Sequence, residues 1–211
     1  MLAAYITVCC CMMSCINNSE DIESDVPGIP TEYVTREEYS VYTDLLEAMN
    51  ALDPIIFDVP LIPGKYKLFV IDDHTPGPIP IDDPDMDRTL NYVSMQMSNL
   101  EPETLDDLRV KYSKSYLLER QFGFKTDYIL LSSEENNSIF RQGGWDEFYR
   151  RYPDAPGIMA FSRVGFDRDM DQALVYFDIT RHRLAGAGYD ILLSKKKGKW
   201  KIQNIVCIWV S

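Results

Sequence analysis

The stretches Ile158–Val164 (IMAFSRV), Ala173–Thr180 (ALVYFDIT), Ala187–Leu193 (AGYDILL) and Lys199–Trp209 (KWKIQNIVCIW) decide the fold. Each is rich in β-branched, aromatic or long apolar residues, as strands are. The breaks between them are Asp167-Arg168-Asp169, His182-Arg183 and the Lys195–Lys199 turn. Such short gaps permit antiparallel hairpins, whereas a parallel crossover needs about a dozen residues. In Trp200-Lys201-Ile202-Gln203 apolar and polar side chains alternate, which predicts one buried and one wet face. The C-terminal part reads as an antiparallel meander. Cys207, inside the apolar run Ile205–Trp209, reads as a buried core residue.

Upstream, the periodicity turns helical. Thr35-Arg36-Glu37-Glu38 is a capping box, followed by Tyr39, Tyr42, Leu45, Leu46 and Met49 at three- and four-residue spacings. Lys65 to Asp72 reads as a strand, and His74 to Asp87 as a proline-rich acidic surface loop. Thr104 to Tyr112 is a helix candidate and Tyr128 to Leu131 a short strand. Ser133-Glu134-Glu135 starts a brief helix through Phe140, and Trp145 to Tyr152 forms another, stopped by Pro153. The expected fold class is α+β, with helices packed on one face of an antiparallel meander sheet.

Composition narrows the function. Apolar residues make up 45% of the 211 and charged residues 26%, which is ordinary for a globular chain and excludes wholesale disorder. Lys and Arg total 21 against 33 Asp and Glu, so the net charge is −12. That surface repels nucleic acid, and the basic run at Lys195–Lys199 reads as a solvated hairpin loop. No cofactor is expected, because the chain has no P-loop, no G-x-G-x-x-G before a helix and no cysteine pairing of zinc-site spacing.

Residues 1–16 carry no charge and are mostly apolar. As a helix they reach about 24 Å, short of the roughly 30 Å of a hydrocarbon core. They read as a signal-peptide hydrophobic region. Met12-Met13-Ser14-Cys15 resembles the lipobox of bacterial lipoproteins. That resemblance implies lipid attachment at Cys15 and a signal peptide over 1–14; the polar composition that follows reads as a flexible tether over 15–32, leaving one α+β domain over 33–211. The resemblance also implies a lipid-anchored, extracytoplasmic place in the cell envelope, with the membrane as a partner through the anchor. The alternative is an uncleaved N-terminus in a cytosolic protein.

Two further resemblances concern the C-terminal region. Leu192-Leu193-Ser194-Lys195 with Gly198-Lys199-Trp200-Lys201-Ile202 is similar to the terminal hairpin of NTF2-like and cystatin-like domains. Trp145, Phe148, Tyr152-Pro153, Gly157, Ser162, Val164-Gly165-Phe166, Gln172–Tyr176, Gly186 and Gly188 together resemble a group of bacterial exported proteins without an assigned activity. That likeness implies fold and export and brings no catalytic residues with it.

Candidate chemistry is sparse. With two histidines far apart and no G-x-S-x-G elbow, a Ser/His/Asp triad has no support. Trp145, Tyr149 and Tyr152 are candidates for a ligand pocket between helix and sheet, and Asp178 or Glu147 for a carboxylate base. Asp83, Asp85 and Asp87 have the 1-3-5 spacing of a calcium loop, although Arg88 stands where the loop glycine belongs and Ser94 where its glutamate belongs. The leading expectation is a non-enzymatic binding or interaction module for a small-molecule or protein ligand. An enzyme using a carboxylate base and a calcium-dependent surface module are the alternatives.

Overall fold

The capping box at Thr35 closes in both directions. Glu38 N–H donates to Thr35 Oγ1 (3.3 Å), and Thr35 N–H donates to Glu38 Oε2 (2.8 Å). Helix α1 (Arg36–Ala51) grows from this cap and buries Tyr39, Tyr42, Leu45, Leu46 and Met49. The computed structural model describes residues 32–51 and 66–211. Cys15, with the signal-peptide segment and nearly all of the tether, lies outside them.

After α1 the described elements are β1 (Leu68–Asp72), α2 (Pro84–Gln96), α3 (Pro102–Lys111), β2 (Asp127–Leu131), α4 (Ser133–Gln142) and α5 (Trp145–Arg151). Then come β3 (Ile158–Phe161), β4 (Gly165–Phe166), β5 (Gln172–His182), β6 (Ala185–Lys196) and β7 (Lys199–Val210). They form one seven-stranded sheet in the order β2-β1-β3-β5-β6-β7, with β4 pairing β5 beside that path. The C-terminal pairings are all antiparallel, as the short gaps require. β1 runs parallel to both β2 and β3, which the intervening helices allow.

The α+β class and the mostly antiparallel sheet are as expected, but the helices cover both faces. Ala173, Val175, Phe177 and Ile179 of β5 pack toward α1, while Leu174 packs toward α2 and α3. Val70 of β1 joins α4 and α5 on that second side. The strands are apolar on alternate residues of both parities, so each face needs a cover. The acidic stretch expected as a loop up to Asp87 becomes helical at Pro84. Asp83 caps that helix by accepting from the Asp85 and Met86 amides at 2.9 and 3.0 Å. Pro84 at the first helical position and Met86, Leu90 and Val93 on one face are ordinary helix signals hidden by the prolines upstream. Cys207, expected in the core, is exposed instead: it lies on β7, the edge strand of the sheet, where one side of the strand has no neighbour.

The junction between β3 and β4 is held by charge. Arg163 and Glu38, 2% and 0% exposed, are joined by Nε–Oε1 and Nη2–Oε2 contacts of 2.6 and 2.8 Å. Burial pushes the Glu38 carboxyl up, but the Arg163 hydrogen bonds and charge outweigh it and hold Glu38 below its usual range. Among the described residues, no helix is long and apolar enough to cross a membrane.

Candidate functional site

Strand register lays a row of side chains across the face that carries α2 to α5. Ala160 pairs with Asp178, Asp178 with Gly188, and Gly188 with Trp209. Extending the β1–β3 register, in which Ile71 faces Met159, by one residue sets Asp72 beside Ala160. The row therefore reads Asp72, Ala160, Asp178, Gly188, Trp209. With strands about 4.8 Å apart, the two small residues leave room that the larger neighbours border. Gly188 has to be glycine, since a Cβ there would overlap the Trp209 indole nitrogen and the Tyr176 hydroxyl. Trp209 Nε1 donates to that hydroxyl at 2.7 Å.

The Trp209–Tyr176 pair borders two hollows. The first, about 490 Å³, is lined by Asp72, Asn136, Phe140, Trp145, Asp178, His182, Arg183 and Trp209 among others. Burial pushes the Asp178 carboxyl up to about 6; a hydrogen bond with Tyr176 opposes this and the Asp72 charge adds to it. Asp72 is also raised, mainly by burial, although its carboxylate accepts from the His74 amide at 3.1 Å. Asn136 Oδ1 is buried with no partner among the described residues. The Trp145 and His182 rings lie 6.5 Å apart.

The second hollow, about 330 Å³, contains Asp190, Tyr112 and Tyr176. Asp190 is 3% exposed, and burial alone raises its carboxyl to about 7. The Tyr176 hydroxyl accepts from Trp209 Nε1, and burial raises both the Tyr112 and the Tyr176 hydroxyl, with the nearby Asp190 charge adding to it.

The residues singled out from sequence scatter around this site. Asp178 and Trp145 meet in the first hollow. Tyr149 and Tyr152 do not line it: the Tyr149 hydroxyl donates to the Arg181 carbonyl (2.9 Å) and that of Tyr152 to Glu135 (2.7 Å). Glu147 is bound by Arg150 and Arg151 at 2.7 and 2.6 Å, and their hydrogen bonds hold it down at about 2. It does not line the hollow that holds Asp178 and Trp145. Asp83 caps α2, Asp85 pairs with Arg88, and Asp87 pairs with Arg109. Helical geometry turns the last two apart, so the three carboxylates are engaged separately rather than converging as a calcium loop requires.

Asp72, Asp73 and His74 bring ligand atoms within 4.8 Å of one another. However, His74 Nδ1 pairs with Asp73 at 2.6 Å, and three groups fall short of the six or more ligands calcium takes. Asp190, Asn136 and Trp209 were not legible as site residues. The available signal was a lone Asp within the apolar AGYDILL strand, where alternation alone puts an acid on either face. No family model, no curated protein and no solved structure matches this chain.

Proposed function

We propose that this chain is an extracytoplasmic binding domain, tethered to a membrane by lipid on Cys15, that holds a small polyhydroxylated ligand of hexopyranose type in the Asp178 hollow. The mixture of groups on the wall carries the ligand class. Asp72, Asp178 and the unpartnered Asn136 Oδ1 accept hydrogen bonds, Arg183 and His182 supply donors, and Phe140, Trp145 and Trp209 supply aromatic surface. Sugar hydroxyls both donate and accept, and the weakly positive C–H faces of a pyranose suit the negative face of an aromatic ring. Carboxylates and a guanidinium share the wall, and that mixture of signs suits a neutral guest better than an ion. The size suits it too, since pockets for small molecules run from about 300 to 1,000 Å³.

Titration with methyl glucoside, methyl galactoside and N-acetylglucosamine tests the ligand. At about 10 mM, enough to fill most of a millimolar site, at least one should shift the Trp145 and Trp209 indole N–H resonances. Asp178→Asn should weaken that response. Silence from all three sugars overturns this reading. The anchor is tested separately by mass spectrometry of the membrane fraction, where an unacylated Cys15 would remove it. The enzyme alternative has one observation in its favour: two carboxyls line the hollow, and burial raises that of Asp178 to about 6, a value suited to a general acid. Release of nitrophenol from aryl glycosides, lost in Asp178→Asn, would support it.

A further inference from the structure

The hollow around Asp190 differs from the first in its charge. Asp83, Asp85 and Asp190 line it, and no Lys, Arg or His appears among the described lining residues. The remaining wall is mostly apolar or aromatic, with Ile79, Met86, Leu90 and Ile208 beside the two tyrosines. Asp190 itself is nearly sealed from solvent and makes no hydrogen bond among the described residues. An acid in that position lacks the partner that buried charges normally have.

We propose that this hollow is a second binding site, for an organic primary ammonium ion with a short apolar tail, whose head pairs with the Asp190 carboxylate while its tail lies along Met86, Leu90 and Ile208. The site is independent of the sugar reading: it lies across the Trp209–Tyr176 pair from Asp178 and carries charge of one sign only. Several features select this class of guest. A cation supplies the missing partner, and –NH₃⁺ carries three donors for a carboxylate that has none. A bare divalent metal does not fit, because most of the wall beside Asp190 is apolar and Asp83 and Asp85 are occupied by the α2 cap and by Arg88. The α2 N-terminus does not turn the hollow toward anions either, since the Asp83 carboxylate already takes the Asp85 and Met86 amides. Tyr112 and Tyr176 add ring surface that favours a cation, and the Tyr176 hydroxyl is already engaged by Trp209.

The test compares n-hexylamine, n-hexanol and hexanoate by calorimetry and by the Met86 methyl resonance, using the full chain. Hexylamine should bind about tenfold to a hundredfold more tightly than hexanol, the factor a charge-assisted hydrogen bond supplies. Hexanoate should bind more weakly still. Asp190→Asn should bring hexylamine down to the level of hexanol, and Met86→Trp, which fills the hollow without touching the acid, should exclude both. Excess methyl glucoside should leave hexylamine binding unchanged. Equal affinity for amine and alcohol, or an Asp190→Asn protein that still prefers the amine, overturns the proposal. Displacement of hexylamine by the sugar would also overturn it, by making the two hollows one site. Failure of the sugars to bind bears only on the Asp178 reading.

Discussion

Replacing Asp190 with asparagine should make the domain more stable, and by an amount that depends on pH. The carboxyl rises from 3.8 to about 7 through burial alone. An acid with a raised folded pKa binds its proton more tightly in the native state. The native state is therefore favoured relative to the unfolded chain below about pH 4, and that advantage is lost as pH rises through the folded value. At about 1.4 kcal/mol per pKa unit, a rise of about three units destabilises the fold by about 4 kcal/mol once pH exceeds 7. Near pH 5, where the folded carboxyl is still protonated and its unfolded counterpart is mostly ionised, the same linkage gives a little under 2 kcal/mol. The asparagine amide is neutral at every pH but leaves its own polar atoms short of partners, a cost of about 1–3 kcal/mol. The variant should therefore gain about 2 kcal/mol near pH 8 and almost nothing near pH 5. Urea unfolding of both proteins at the two pH values measures this. The pH dependence of the difference is independent of the amide's cost, and Asp178, which titrates in both proteins, cancels from it. An equal gain at both pH values would refute the argument, because the Asp190 carboxyl would then not be titrating in that interval.

Two further substitutions probe the scaffold beneath the site. Glu38→Ala leaves Arg163 charged in the core and should cost about 3–5 kcal/mol, whereas Glu38→Ala with Arg163→Met should recover much of that loss. Urea midpoints of the single and double variants decide it, and a double variant no better than the single would place the loss elsewhere, in the Thr35 cap. Gly188→Ala forces the Trp209 indole off the Tyr176 hydroxyl. It should cost about 1–3 kcal/mol by overpacking and shift the Trp209 indole N–H resonance, and an unmoved resonance would mean that the indole is not held over Gly188.

The meander was legible because β5, β6 and β7 have local turns and clear alternation, so their pairing follows from spacing alone. The α1 cap was legible for the same reason: Thr35 and Glu38 are three residues apart and need no distant partner. What Glu38 meets at its other oxygens was hidden, since Arg163 lies 125 residues away and ordinarily reads as a surface cation. The first hollow was half visible. Trp145 and Asp178 announce themselves as an aromatic at a helix start and an acid within a strand. Asp72 and Trp209 reach the same place only through the order of strands β1, β3, β5, β6 and β7, and Asn136 only through the placement of α4, none of which any periodicity encodes. The apolar run around Cys207 is no measure of burial, because on an edge strand one side of the run can lack a cover.

Packing alone does not account for the second face of the sheet. A leucine at position 190 would satisfy Met86, Leu90 and Ile208 without the roughly 4 kcal/mol that an unpaired acid costs, a large part of the 5–15 kcal/mol by which domains are stable. Likewise Gly188 forfeits a side chain in the middle of a strand, and its one structural return is the Trp209–Tyr176 contact that borders both hollows. Two positions that weaken the sheet thus create, on the same face, an unpaired carboxylate and a shared aromatic wall. The Arg163–Glu38 pair lies at the other side of the sheet, where its hydrogen bonds are complete, and leaves nothing for a ligand to satisfy. Asn136 Oδ1, a buried acceptor without a partner among the described residues, belongs to the first hollow, and the buried Asp190 carboxyl belongs to the second. The two guests differ because the walls differ: Arg183 shares the wall with the acids around Asp178, and no Lys, Arg or His is described in the lining around Asp190.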